Sequence, residues 1–344
     1  MFRQPDRRAS RPVSQAMKAT AVAHPNIALV KYWGKRDEER VLPHQSSLSI
    51  TLDGLWVTTT VELGVREEEI RLNRGTAKEA ESARIRRVLG AVQSEISEPL
   101  GKAKVISEGN FPPAAGLASS AAGFAALATA ARAAAKLGRD VHEASRLARI
   151  GSGSACRSIQ GGTCVWRRGI QPDGSDSYAE QAFPEQHWPE LRLVVCIVSE
   201  GEKEVSSRDG MRHTVETSPF YSAWALAAEA DIDRALEYVR DRNLPRLGEL
   251  AERNAWRMHA TALAADPPLC YFSPATLRLI AAFRKARTHG LPVWFTLDAG
   301  PNPVALTAEE HVARVESICR ENGARRIVAC APGGDARLID EHLF

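Results

Sequence analysis

Residues 111–123 read Phe111-Pro-Pro-Ala-Ala-Gly-Leu-Ala-Ser-Ser-Ala-Ala-Gly123, and an alanine-rich run continues from there to Leu137. Two prolines and a string of small residues lead straight into a segment of helical composition. The pattern predicts a loop that ends at a helix N-terminus. Small side chains let backbone N–H groups approach an anion closely, and the helix end adds roughly half a unit of positive charge. Ser119 and Ser120 can bond phosphate oxygens or hold Mg2+ there; the alternative is that a serine simply caps the helix. The run from Ala121 to Leu137 does not predict a membrane span. Gly123, Thr129, Arg132 and Lys136 interrupt it, and it falls short of the roughly 20 apolar residues a span needs.

Upstream of this stretch, apolar or alternating patterns predict strands within Ala21–Trp33, Ser46–Leu52, Leu55–Leu63 and Lys102–Ser107. A charged helix is predicted over Thr76–Ser97, with Thr76 as its cap. Downstream come a helix over Val141–Ile150, a glycine- and serine-rich loop from Gly151 to Gly162, a strand over Thr163–Arg167 and a loop from Gly169 to Glu190. The remainder predicts a strand over Leu193–Val198, helices over Pro219–Arg242, Leu244–Ala264 and Pro274–His289, and a buried strand over Val293–Leu297. A helix over Ala308–Asn322 and a last strand over Arg326–Cys330 complete it. Strands and helices follow no regular βαβ alternation, so the fold class is α+β. The 344 residues suggest about two domains. We expect a disordered N-terminal extension over residues 1–18, a first domain over 19–190 and a second over 191–344.

With 45 basic and 42 acidic residues the formal charge is +3, too even to predict a nucleic-acid partner. The polar, arginine-bearing N-terminus lacks the apolar core of a secretory signal. Six cysteines form no C-x-x-C pair, and Cys196 and Cys330 sit in apolar runs, which fits reduced thiols and a cytoplasmic protein. No P-loop, H-E-x-x-H or G-x-S-x-G motif is present.

Three further stretches carry chemistry. Gly151-Ser-Gly-Ser-Ala-Cys-Arg157-Ser pairs small hydroxyl residues with an arginine whose planar fork suits a carboxylate or phosphate, unless it is a solvated surface loop. Asn26-Ile-Ala-Leu-Val-Lys31-Tyr-Trp-Gly-Lys35 ends an apolar run on a lysine that must meet an anion or snorkel to water. Thr296-Leu-Asp298-Ala-Gly-Pro-Asn places an aspartate at a strand end, for a turn cap or for catalysis. Together, anion-binding loops, a lysine, an arginine and an aspartate describe a site for a polyanionic substrate.

These four stretches, with Leu42-Pro-His-Gln-Ser-Ser-Leu-Ser, occur in the order found in the mevalonate diphosphate decarboxylase family of the GHMP kinase superfamily, which the chain resembles from Ala19 onward. Val205-Ser-Ser-Arg-Asp-Gly-Met has the family's look as well. The resemblance implies a two-domain GHMP kinase fold with its active site in the interdomain cleft, a homodimer, ATP and Mg2+ as cofactors, and a small phosphorylated substrate. In the implied reaction ATP phosphorylates the 3-hydroxyl of mevalonate 5-diphosphate. Loss of that phosphate and of CO2 then yields isopentenyl diphosphate. The resemblance makes Asp298 the residue that orients or deprotonates the hydroxyl, Arg157 the carboxylate ligand and Lys31 the cation at the reacting centre. It assigns Tyr32, Lys35, Ser152, Ser154, Ser206 and Ser207 to the substrate, Asn110, Gly116, Ala118, Ser119 and Ser120 to the nucleotide, and Ser120 to the metal. Gln45, Pro113 and His24-Pro25 depart from the family's usual residues. Alternatives on the same scaffold are a mevalonate 5-phosphate decarboxylase or a mevalonate 3-kinase; another class is an inactive metabolite-binding regulator.

Overall fold

A computed structural model describes residues 17–111, 119–201 and 204–344. The expected nucleotide-loop positions Gly116 and Ala118 lie outside the described residues, as does the chain before Met17. The first half runs β1 (Met17–Ala23), β2 (Asn26–Val30), β3 (Lys35–Asp37), β4 (Leu42–Pro43), β5 (Ser47–Thr51), β6 (Val57–Val65), β7 (Glu69–Leu72) and β8 (Gly75–Thr76). It continues through α1 (Glu79–Ser94), β9 (Lys102–Gly109), α2 (Ser119–Ala134), α3 (Val141–Gly151), β10 (Thr163–Trp166) and β11 (Ala179–Phe183). The second half runs β12 (Leu191–Ile197), α4 (Ser207–Thr217), α5 (Tyr221–Arg240), α6 (Leu244–Leu263) and α7 (Pro274–Thr288). It ends with β13 (Trp294–Thr296), β14 (Val304–Ala308), α8 (Val312–Glu321), β15 (Arg326–Cys330) and β16 (Arg337–Ile339).

Three main sheets result, in the orders β16-β1-β6-β9-β7-β8, β11-β10-β5-β2 and β13-β14-β12-β15. The alanines of α2 explain how the first sheet is covered. Ala121, Ala125, Ala126, Ala128, Ala130 and Ala131 are all fully buried, and side chains this small let the helix lie close against β1 and β6. Helix α3 starts on an Asp140 cap that accepts from the His142 and Glu143 amides at 2.9 and 3.0 Å. A second cluster crosses the domain boundary. It joins Ile27, Leu29 and Trp33 to Tyr221, Trp224, Ile232, Met258 and Tyr271.

Several expectations need correction. Met17 and Lys18 belong to β1 and not to a tail, because they pair with Leu63 and Glu62 of β6. Thr76 is not a helix cap; it pairs with Arg71 in a hairpin, and α1 begins behind Lys78. The segment from Gly169 to Glu190 holds β11, paired antiparallel to β10. Helix α4 and strand β14 occupy segments to which the sequence patterns assigned no element. Strand β15 is not the last. The chain returns to the first domain and ends there, as β16 on β1.

That return is tightly held. Asp53 accepts from the Ala331 amide at 2.7 Å, the Gly333 amide donates to Thr51 at 2.8 Å, and Asp335 accepts from the Gly161 amide at 2.8 Å. A Cβ on Gly161 would sit 2.4 Å from the Gly333 carbonyl oxygen, so only glycine admits the passing strand. Beyond β16, the Leu343 amide donates to Thr60 at 3.0 Å and Thr20 meets His342 at 2.6 Å. Lys18 donates to the Phe344 carbonyl at 2.6 Å. Truncation after Ala336 removes these three side-chain bonds and the β16 ladder. We expect a loss of at least roughly 3 kcal/mol, at about 1 kcal/mol per bond, measured by urea denaturation.

Candidate active site

Strand β2 is buried along its whole length, so Lys31 at its end has no route by which to snorkel. Its side chain is 2 % exposed and meets Asp298, from the other domain, with Nζ 2.5 Å from Oδ1. A second Nζ proton goes to the Ala28 carbonyl at 2.7 Å. Burial drives the lysine pKa down from its ordinary value, Asp298 pulls it back up, and Arg157 pushes it down again. Asp298 keeps 30 % of its side chain exposed. It is therefore the wet end of the pair, and among the described residues its Oδ2 has no partner.

Arg157 is carried on a 3-10 turn over Gly153–Ser158 and is fully enclosed. One terminal nitrogen donates to Ser47 Oγ at 2.6 Å and the other to Asn26 Oδ1 at 3.2 Å. Asn26 is itself fixed, donating to the Ser154 carbonyl at 3.0 Å and to Ser158 Oγ at 2.8 Å. Among the described residues Arg157 Nε has no partner, and neither has the buried Tyr32 hydroxyl. Both residues line the cleft, among the groups that a bound anion would meet. Gly153 admits the tyrosine, since a Cβ there would lie 2.7 Å from its hydroxyl oxygen.

These groups line one cleft of about 1190 Å³ between the domains. The cleft brings together Lys31, Tyr32, Lys35, Ser119, Ser120, Ser152, Ser154, Arg157, Ser206, Ser207 and Asp298. The serine pairs do more than cap: Ser120 and Ser152 hydroxyls lie 3.2 Å apart, joining the start of α2 to the end of α3. Ser206 caps α4, accepting from the Asp209 amide at 3.1 Å. Lys35 is paired with Glu38 at 2.5 Å, and its burial lowers its pKa. Asn110 is not among the described residues that line the cleft, and its amide is engaged by the Gly54 carbonyl and the Trp56 amide, both at 2.8 Å. Gln45 is buried as well and donates to the Lys31 carbonyl at 3.3 Å.

Sequence reasoning missed the far end of the cleft. Arg84 and Arg87, three residues apart on α1, line it with Lys78, and Arg208 joins them from α4. The i, i+3 spacing on a charged helix was the available signal, but such a face reads equally well as solvated. Seven cations (Lys31, Lys35, Lys78, Arg84, Arg87, Arg157, Arg208) face three carboxylates (Glu81, Asp209, Asp298) across the lining. A chain of nearly balanced charge thus concentrates positive potential in one place. Among the described residues no group of three or more His, Cys, Asp or Glu side chains could hold a metal by itself. This donor set fits a Mg2+ that arrives on a polyphosphate and keeps much of its water, with the Ser120 hydroxyl as a candidate ligand.

Comparison of folds puts the chain in the GHMP kinase class of two-domain α+β proteins. Mevalonate diphosphate decarboxylase from Staphylococcus aureus superposes with a TM-score of 0.89 at 33% identity, covering 96% of this chain and 100% of the other. The Enterococcus faecalis enzyme does so with a TM-score of 0.87 at 40% identity, over 95% and 100%. A complex with MVAPP, AMPPCP and magnesium superposes with a TM-score of 0.88 at 41% identity over the same shares. Residues 23–179 match the diphosphomevalonate decarboxylase-like N-terminal domain, and residues 193–325 the mevalonate 5-diphosphate decarboxylase C-terminal domain. Diphosphomevalonate decarboxylase of Bos taurus is 42% identical over 326 residues, 88% of this chain and 80% of that one. The chain belongs to the diphosphomevalonate decarboxylase family.

His259, behind the Lys31–Asp298 pair, holds the Leu297 carbonyl with Nε2 at 3.2 Å. A carbonyl only accepts, so this nitrogen carries the ring's proton. Burial, with Lys31 nearby, lowers the histidine pKa from 6.5 to about 4. Between those two values the unfolded chain binds a proton at this position that the fold refuses, so stability falls as the pH falls through the window. His259→Gln removes that share. Urea midpoints measured between pH 6.5 and 4 should fall less steeply in the variant than in the parent.

Proposed function

We propose that this chain catalyses the ATP-dependent decarboxylation of mevalonate 5-diphosphate to isopentenyl diphosphate, ADP, phosphate and CO2. The observation that carries it is the Lys31–Asp298 pair, joined across the domains at 2.5 Å beside Arg157 in a cleft rich in cations. The other members of the scaffold weighed above, the monophosphate decarboxylase and the 3-kinase, draw no support from the relatives, which are diphosphomevalonate decarboxylases.

The substrate 3-hydroxyl attacks the γ-phosphorus of ATP and ADP departs. The new 3-phosphate then leaves with the C3–O electron pair. The electrons of the breaking bond to the carboxyl carbon form the C2–C3 double bond, and CO2 is released. Asp298 suits the first step through Oδ2, with Oδ1 pinned by Lys31. A tertiary alcohol is a weak acid, so Asp298 positions the hydroxyl and takes its proton late, in a loose transition state. In this reading Arg157 and Tyr32 hold substrate oxygens, the carboxylate among them, which their position in the cleft lining supports. Fixing the carboxylate aligns the breaking C–C bond with the departing phosphate. Ser152, Ser154, Ser206, Ser207 and Lys35 surround the diphosphate in this reading, and Ser119 and Ser120 the nucleotide phosphates. Bound Mg2+ supplies charge neutralisation at the ATP phosphates. We also propose a homodimer in the cytoplasm; no helix among the described residues is long and apolar enough to cross a membrane.

The test is incubation with Mg-ATP and either mevalonate 5-diphosphate or mevalonate 5-phosphate, with ADP, phosphate and CO2 measured together. Equal release of all three from the diphosphate is expected; CO2 from the monophosphate alone, or ADP without CO2, would overturn the reading. Asp298→Asn should cost at least about 10²-fold in kcat with near-normal substrate affinity by equilibrium titration. Arg157→Met should lower kcat/KM by roughly tenfold to a hundredfold, the worth of a charge-assisted bond, and unchanged kinetics would remove it from the site.

A further inference from the structure

Helix α6 grips both members of the Lys31–Asp298 pair from behind. On one side Asn254 Oδ1 accepts the backbone N–H of Lys31 at 2.8 Å, across the domain boundary. On the other, His259 Nε2 donates to the carbonyl of Leu297, the residue before Asp298, at 3.2 Å. Neither side chain lines the cleft. Both are buried, so water does not compete for these bonds. The two residues are five apart on one helix, a rise of about 7.5 Å that the helix's own hydrogen bonds hold constant.

Asn254 is itself oriented. Its Nδ2 donates to Asp231 Oδ2 at 3.1 Å. Asp231 is a buried carboxylate on α5, with Arg253 at 3.5 Å and Arg257 at 3.8 Å. The carboxylate can only accept from the amide nitrogen, which leaves the amide oxygen for Lys31 and fixes the sense of the side chain. The two ends of the grip also meet each other. The Ala28 carbonyl accepts from Lys31 Nζ at 2.7 Å and from Thr296 Oγ1 at 3.1 Å, so β2 and β13 are tied at one oxygen.

We propose that Asn254 and His259 are positioning residues of the reaction, which set from a single helix the placement of Lys31 and Asp298. The proposal rests on the assignment of those two residues to the reacting centre. A merely structural role would weaken the fold and leave kcat of the folded protein unchanged. A positioning role lowers kcat itself, because a displacement of about 1 Å at the reacting groups can cost on the order of 10²-fold.

The experiment compares Asn254→Leu, His259→Leu and His259→Gln with the parent chain. It measures kcat and KM for mevalonate 5-diphosphate with Mg-ATP, well below each variant's Tm. Asn254→Leu keeps the shape and removes the acceptor. Leucine at 259 removes the donor, whereas glutamine restores an amide N–H. The two leucine variants should lose about 10²-fold in kcat with KM within roughly threefold of the parent. His259→Gln should recover most of the loss. In a Lys31→Met background, Asn254→Leu should cost much less than it does alone, since both act through one group. Leucine variants within about threefold of the parent kcat, or a glutamine variant as slow as His259→Leu, would overturn the proposal. If Asn254→Leu does not fold, the two His259 variants decide alone. A parent chain that releases no CO2 from mevalonate 5-diphosphate would instead sink the reading beneath it.

Discussion

A lysine almost wholly withdrawn from water needs a carboxylate, and here that carboxylate comes from 267 residues away in the other domain. Removing Asp298 would leave the buried lysine uncompensated, at a cost of roughly 3–5 kcal/mol, whereas Asp298 without Lys31 would keep part of its hydration. The two domains are therefore tied to each other at the proposed reacting centre. Isolated, a buried ion pair is weak evidence of stability. Its place directly after a strand that is buried along its whole length marks it as a functional candidate.

The rest of the interface serves the same constraint. Helix α5 sends Glu229 to the Ser46 amide at 2.5 Å and to its hydroxyl at 2.9 Å, next to the Ser47 that holds Arg157. Two residues further on, Asp231 orients Asn254 against Lys31. Tyr221, at the start of the helix, donates to the Trp33 carbonyl at 2.9 Å. These polar ties sit within an apolar cluster that crosses the boundary. An interface that is both apolar and register-specific does not behave as a free hinge. The C-terminal return of the chain onto β1 adds a second crossing, so the cleft opens between bodies tied at both ends.

The sequence made the chemistry legible and much of the topology illegible, and the reason is the range over which each is encoded. Lys31, Arg157 and Asp298 each lie in a local pattern: a cation after an apolar run, an arginine in a serine-glycine turn, an acid at a strand end. Helices α3, α5, α6 and α7 were legible because periodicity and caps are local too. Strand β16 was not. Its residues Arg337-Leu-Ile carry no strong pattern, and their partner is β1, at the other end of the chain. β11 was hidden because Ala-Glu-Gln-Ala-Phe has little of the β-branched character that marks strands. The engagement of the Asn110 amide by Gly54 and Trp56 was not legible, because proximity in sequence to a phosphate loop says nothing about where an amide points. Asn254 and His259 had no signal at all, since an asparagine and a histidine five apart on an amphipathic helix are unremarkable until the opposite domain is in place.

The charge balance of the cleft ties these threads together. Seven cations against three carboxylates create a field that attracts a polyphosphate, yet attraction alone binds ground state and transition state alike. What differs at the proposed reacting centre is rigidity. Lys31 is held by its amide, by Ala28 and by Asp298, and Arg157 by Ser47 and Asn26, so their charges do not reorganise as charge moves in the substrate. Fixed dipoles and charges in a water-poor site act most strongly where new charge develops. In the proposed reaction, the burial that makes Lys31 expensive to fold is the condition under which it would act, and the domain interface sustains that burial.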